Sequence, residues 1–321
     1  MRQRGAALLA AMLTVALVAS FAAAALWQQW RAVEIETAER SRVQSGWILT
    51  GALDWARLIL REDARSGGAD HLGEPWSVPL QEARLSTFLA ADKSNNVDTG
   101  AENAFLSGQI LDQQSLLNVT NLVEAGRLSE PGLQSFERLF DLLGLPAQEL
   151  NVLAENLRFA SDISTDNRSS DKAALLPQKV EHLTWLGLSA RTAAVLQPYV
   201  AVLPQRTGVN LNTAPAEVIY AAVPGISLAD AQRLVAERDR SPFRTTADAA
   251  KLLGNNGEGF NSDMVTVASR FFEVRGRLRL GDAVVEERSL LRRDGIEVRT
   301  ITRERGVVDP TALARVATGK R

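Results

Sequence analysis

Residues Ala6 to Trp30 carry no charged side chain, and that run constrains the chain more than any other feature. At a 1.5 Å rise per residue, a helix over it is about 37 Å long and crosses a ~30 Å hydrocarbon core with room to tilt. Arg2 and Arg4 precede the run and the bulk of the chain follows it. The positive-inside rule therefore places the N-terminus in the cytoplasm and the body across the membrane. Trp27 and Trp30 fall where an aromatic belt belongs. A cleaved secretory signal, with Ala22 to Ala25 as its small-residue site, competes with a retained anchor. The helical pattern does not stop there, however. No proline occurs before Pro75, and Gly46 and Gly51 are the only glycines between Gly5 and Gly67. Ile48, Ala52, Trp55 and Ile59, with Leu49, Leu53, Ala56 and Leu60, recur at helical spacing as one apolar stripe. The spacing predicts one helix running from bilayer into a packed domain. A plain single-pass anchor fits the same spacing.

The remainder reads as globular. At 321 residues with 45% apolar and 23% charged side chains, two folded units beyond the anchor are expected. A formal charge of −2 argues against a polyanion surface made by charge excess. There is no cysteine, so neither disulfides nor thiolate metal sites are available. The two histidines, His71 and His182, lie in a glycine-flanked loop and beside Trp185, with no serine nucleophile pattern, His-Glu-x-x-His helix or phosphate loop near them. The expectation is a non-enzyme that requires no cofactor. Hard oxygen donors gather in two polar loops, around Asp92 and Asp98 and around Glu258 and Asp263. Calcium takes six to eight such ligands. The first loop has Val97 where an EF-hand needs glycine, so a solvated loop and a structural calcium site stay as alternatives.

Along the chain, Arg65 to Gly68 is a break and Asp70 to Trp76 a loop. Gly108 to Asn118 is a strand candidate, and Ser129 to Leu157 reads as helical from Pro131 onward. In Val209-Asn-Leu-Asn-Thr-Ala-Pro215, Asn212 or Thr213 can cap a helix opening near Pro215; Pro224-Gly225 is a turn, and a second helix starts after Ser227. This helical hairpin is similar to the helix-hairpin-helix of some DNA-binding proteins, although Gly225-Ile226-Ser227 lacks the second glycine. Arg233, Arg238, Arg240 and Arg244 could reach phosphates, and Glu217, Asp230, Glu237 and Asp239 stand among them. Phe272, Val274, Leu278 and Leu280 alternate with charged residues as a half-buried strand. Gly281-Asp282 and Asp294-Gly295 are hairpin turns, with Ile296, Val298 and Ile301 in a last strand. The arginines here read as a solvated strand face.

Arg4-Gly5-Ala6-Ala7-Leu8-Leu9 resembles the leader of type IV pilin-like proteins, in which a basic peptide ends in glycine before an uncut apolar helix. That resemblance implies cleavage by prepilin peptidase between Gly5 and Ala6, with Ala6 open to N-methylation. Most pilin-like proteins have glutamate at the fifth mature position; here it is Ala10. A carboxylate in hydrocarbon is kept only for a partner, which in that family is the amine of the neighbouring subunit. Its absence marks the K class of type II secretion minor pseudopilins, which the chain resembles. Gly73-Glu-Pro-Trp76, the run with Asp112, Gln114, Asn118 and Asn121, Pro177 to Gly187, Leu196 to Pro204, Val209-Asn210, Pro242-Phe243 and Asp248 follow that class in order.

The resemblance implies an α+β fold. Its long N-terminal helix, transmembrane in its first half, packs on a small antiparallel sheet, and a large all-α domain is inserted. The implied divisions are a leader (1–5), a transmembrane half (6–30), a pilin-like α/β domain (31–123 and 268–307), an inserted helical domain (124–267) and a tail (308–321). It implies a subunit at the pseudopilus tip that starts assembly. The partners would be I- and J-type minor pseudopilins, H-type and major pseudopilins and prepilin peptidase, with the secretin and secreted exoproteins as further contacts. The location would be a bacterial inner membrane, single-pass, with a periplasmic body. A competence-type membrane-anchored DNA-binding protein and a generic periplasmic scaffold are the alternatives.

Overall fold

The computed structural model describes residues 3–90, 104–162, 173–254, 259–260, 263–281 and 283–307. Helix α1 (Gln3–Ser66) is continuous from the anchor into the body. Nothing in its sequence interrupts it until Gly67 and Gly68, whose φ of +65° and +117° only glycine adopts freely. Every described side chain from Ala6 to Arg40 is exposed, and burial begins at Ser45. Leu49, Leu53, Ala56 and Leu60 are the buried half of the stripe, whereas Trp55 remains 50% exposed.

After α1 come β1 (Leu80–Arg84), a short α2 (Leu85–Ala90) and β2 (Ala104–Asp112). The chain then leaves the sheet. It builds β3 (Leu117–Asn118), β4 (Val123–Glu124), β5 (Arg127–Leu128), α3 (Glu130–Leu143), α4 (Ala147–Ala160) and α5 (Ala190–Leu196). Next are β6 (Val200–Ala201), β7 (Val209–Asn210), α6 (Ala216–Ala222), α7 (Leu228–Arg238), α8 (Thr246–Leu252) and β8 (Val265–Thr266). It returns as β9 (Phe271–Leu280), β10 (Ala283–Asp294) and β11 (Glu297–Val307). The sheet order is β1-β2-β9-β10-β11, antiparallel throughout. One face of this sheet takes α1: Leu53 and Leu60 meet Ile110, Phe272, Val274, Leu291 and Val298, and Leu49 meets Leu106 and Leu278. Gly108 lies opposite Gly276 in register, and a Cβ on Gly276 would stand 3.2 Å from Leu49 Cδ2. The helix approaches the sheet closely where both strands lack side chains.

The helical body has its own core, centred on Phe136, Leu139, Phe140, Leu150, Leu153, Val218, Ile219 and Leu234. Leu117, Val119 and Leu122 belong to it, so its core reaches ahead of the start expected at 124. The helix expected over 129–157 is two helices. Gly144 turns left-handed (φ +64°) and Pro146 follows, so the chain reverses between α3 and α4. Helix α3 lies so close to Asn121 that a Cβ on Gly132 would come 2.1 Å from its carbonyl oxygen. A small apolar cluster of Ala201, Leu203 and Phe271, with Leu116 and Leu290, seats this body on the sheet face opposite α1.

Two local expectations are corrected. Neither Asn212 nor Thr213 caps α6, which starts after Pro215; the Asn212 side chain instead bonds both backbone groups of Phe243, at 2.9 Å each. Ile296 is not in the last strand. Asp294 pairs with Glu297, so Gly295 and Ile296 form the two-residue turn, with Gly295 at φ +58°. Ser227 does cap α7, in a reciprocal capping box with Asp230. Ser227→Ala is expected to cost about 1 kcal/mol, read as a shift in denaturant midpoint without a change in slope.

Candidate functional site

Three features are available to partners: the free half of α1, a groove beside its packed half, and the joint between the two bodies. Leu8, Leu13, Val18 and Phe21 are each more than 65% exposed on the free half. An apolar surface of that extent is covered by lipid or by other helices. The expected first mature residue, Ala6, and the departure at Ala10 are both exposed there, four residues apart and so on one helix face. Gly5 lies within α1. Farther along, Ala52, Trp55 and Ile59 of α1 and Trp76, Val78 and Leu80 near β1 line an apolar groove of about 250 Å³.

The joint is polar and buried. Arg293 of β10 donates from Nη1 to Asp63 Oδ2 of α1 (2.6 Å), and from Nη2 to Asp70 Oδ1 and the Ser269 carbonyl. Its guanidinium stacks over Phe272, 4.7 Å from the ring centroid. Asp70 Oδ2 accepts the Ser269 N–H (2.6 Å), and Ser269 Oγ donates to Asp112 Oδ2 (2.6 Å). At the end of β2, Asp112 Oδ2 also accepts from Thr213 Oγ1 (2.6 Å) and Asn210 Nδ2 (3.1 Å), while Oδ1 accepts from Gln114 N (2.8 Å). Asn210 Nδ2 reaches the Asp70 carbonyl as well (3.1 Å). The network thus ties α1, the loop after it, β2 and β10 to the Asn210–Thr213 segment of the helical body.

Burial raises all three aspartates above the usual carboxylate range. Asp112 is pushed up to about 6 by desolvation, against the hydrogen bonds from Ser269, Thr213 and Gln114. Desolvation is also the main cause at Asp70, opposed by Arg293. Asp63 is raised by burial and then by the neighbouring Glu74 charge. Glu74 Oε2 accepts from His71 N (2.9 Å) and Trp76 Nε1 (2.7 Å).

Of the calcium candidates, Asp92, Asp98 and Glu258 lie outside the described residues, and Asp263 is exposed in a turn. Among the described residues, the one acidic group with ligand atoms within 4.8 Å of one another is Asp63, Asp70 and Glu74. The Arg293 guanidinium already bridges the two aspartates, so this is an ion-paired cluster. His71 Nδ1 accepts from Gly73 N (3.1 Å), and His182 stacks on Trp185 at 3.9 Å. The hairpin arginines do not converge: Arg238 is buried and donates to the Leu211 and Ala214 carbonyls, Arg233 sits 3.7 Å from Asp230 and Arg240 3.9 Å from Glu237. Nor is the sheet's basic face uniformly solvated. Arg275 and Arg279 pair at the surface with Glu273 and Glu82, but Arg293 is buried. Sequence reading missed Arg293, Ser269 and Asp63. It did name Asp112 and Asn210, as members of the segments that follow the K class in order.

A family model described as "Type II secretion system (T2SS), protein K" matches residues 209–268, and a second with the same description matches 115–205. The chain is 28% identical to the type II secretion system protein K of Pseudomonas aeruginosa, over 95% of this chain and 93% of that protein. It is 27% identical to that of Pectobacterium carotovorum subsp. carotovorum, over 95% and 97%. Among solved structures, a chain of the GspK-GspI-GspJ complex from enterotoxigenic Escherichia coli matches with a TM-score of 0.66 and 20% identity, covering 84% of this chain and 98% of that one. A free apolar half-helix, continuous with a half packed across an antiparallel sheet, defines a pilin-like subunit with one N-terminal helix long and apolar enough to span a membrane. The chain belongs to the protein K family of the type II secretion system, and it is a minor pseudopilin.

Proposed function

We propose that this chain is the subunit at the tip of the pseudopilus and that it starts fibre assembly. The observation that carries the reading is Ala10, an apolar residue on the free face of α1 at the position where pilin-like subunits usually hold a membrane-embedded acid. A subunit without that acid has no carboxylate to offer the amine of a subunit ahead of it. The helical body supports the same place, because a mass on the sheet face opposite α1 obstructs a subunit stacked above it. I- and J-type minor pseudopilins are the expected partners, since a solved structure with this fold is a chain of a GspK-GspI-GspJ complex. The reading further includes an inner-membrane anchor with a periplasmic body, cleavage between Gly5 and Ala6, and a role in assembly without catalysis.

Intact mass and terminal sequencing of the protein from membranes, with and without prepilin peptidase, test the processing. A peptidase-dependent start at Ala6 is expected, and a start beyond Ala22 sinks the model. Placement is tested by immunogold labelling of pseudopili. Label confined to one end, with few fibres formed in a strain lacking this chain, is the expected result; label along the shaft refutes the tip position.

A further inference from the structure

The joint holds four carboxylates, those of Asp63, Asp70, Glu74 and Asp112, and among the described residues Arg293 is the one cation bonded to any of them, reaching Asp63 and Asp70. Every element packed there is accounted for. The α1 end adds Glu62 and Arg65, which pair with each other at the surface. The loop contributes Asp70, Glu74 and His71, whose ring faces Gly73. Arg270, just before β9, turns outward to Asp294. The helical body brings the uncharged donors Asn210 and Thr213, with the buried Arg238 bonded to the Leu211 and Ala214 carbonyls of the same stretch. Negative charge is therefore in excess in a partly dehydrated joint, and burial favours the protonated forms of Asp63, Asp70 and Asp112. A depression of about 400 Å³, lined by Asp63, Glu74, Ser269 and Gly295, opens over the cluster and lets solvent protons reach it.

We infer that the joint is a proton-sensitive latch: it closes with proton uptake, so mild acid holds the helical body against the sheet and rising pH loosens it. The device stands on a geometry that strand and helix packing impose: the buried Asp112 carboxylate at the end of β2 takes hydrogen bonds from Asn210 and Thr213 of the docked segment, and the Asp70 carbonyl takes another from Asn210. When the segment lifts, water reaches Asp112 and its proton is released. A carboxylate whose folded pKa stands above its unfolded value lends stability that is complete below the unfolded value and is lost as pH rises through the folded one. For Asp112 that window runs from about 3.8 to about 6.

The test is amide hydrogen exchange on the full chain in detergent micelles at pH 5 and pH 7, normalised to the intrinsic exchange rate at each pH. Segment 209–213 is expected to show about tenfold more protection at pH 5, the factor one carboxylate raised from about 3.8 to about 6 gives between pH 5 and pH 7. Helices α3 and α4, whose contacts lie within the helical body's own core, should show no such change. In Asp112→Asn, which keeps side-chain shape and removes the carboxyl group that the docked segment covers, the ratio for 209–213 should fall to near one. Equal protection of 209–213 at the two pH values overturns the latch. So does an equal change in α3 and α4, or an unaltered ratio in Asp112→Asn. If that variant does not fold, the comparison of 209–213 with α3 and α4 in the wild-type chain decides alone.

Discussion

Arg293→Ala is expected to remove about 3–5 kcal/mol of stability at pH 7, the range for breaking a buried ion pair from one side. The guanidinium is only 10% exposed, and its partners Asp63 and Asp70 are 10% and 4% exposed. Truncation leaves both carboxylates in place with Glu74 beside them and strips the Ser269 carbonyl of its donor. It also removes the cation from the face of Phe272, which packs edge-on against Trp76 at 5.3 Å. Arg293→Lys should recover less than half of the loss. An ammonium is a point charge and cannot place two donors on two different carboxylates in one plane. Because the orphaned acids would titrate higher still, the Ala variant should regain stability as pH falls from 7 to 5. Chemical denaturation of the full chain in micelles measures this. A loss below 1 kcal/mol, or no recovery in acid, would show that the pair is not the clasp of the joint.

Asp112→Ala should cost about 3 kcal/mol, concentrated in one part of the molecule. Four donors lose their acceptor: the N–H of Gln114, the amide of Asn210 and the hydroxyls of Thr213 and Ser269. Each buried donor left unpaired costs about 1–3 kcal/mol. The Thr213 hydroxyl has a fallback in the Asn210 carbonyl 3.4 Å away, and the Asn210 amide keeps the Asp70 carbonyl, so the sum falls short of four full penalties. Loss of protection should appear at 209–213 and spare α3 and α4, whose contacts lie within the helical body's own core. A uniform loss across both bodies would mean that they unfold as one unit and that the joint is not the weak boundary.

The fold and the joint differ in how far local sequence reveals them. Leu49, Leu53, Ala56 and Leu60 advertise a buried helix face because α-helical geometry turns spacing into direction. Ser227 with Asp230, and Phe272 with Val274, are likewise read from neighbours a few positions away. Two elements were misread on the same local basis. The helical period continues through Gly144, and the preference of asparagine for caps says nothing of the Phe243 backbone that Asn212 actually meets. Asp63 and Arg293 are separated by 230 residues, and Asp112 and Ser269 by 157, distances over which no period or propensity operates. Nothing in the run of arginines near the C-terminus sets Arg293 apart from Arg275. One stacks on Phe272 inside the joint and the other pairs with Glu273 on the surface.

The sequence by itself determined the anchor, the long helix, the hairpins and the family. Those depend on composition and short spacing, and hydrocarbon, helix and strand impose their periods locally. The tertiary structure alone decided that Trp55 lines a groove and that Asp63 and Asp70 share one guanidinium, with Glu74 beside them and Asp112 tied in through Ser269. Charge pairing and desolvation depend on what surrounds a group in space, and for these residues the surroundings are assembled from parts of the chain that lie far apart in sequence.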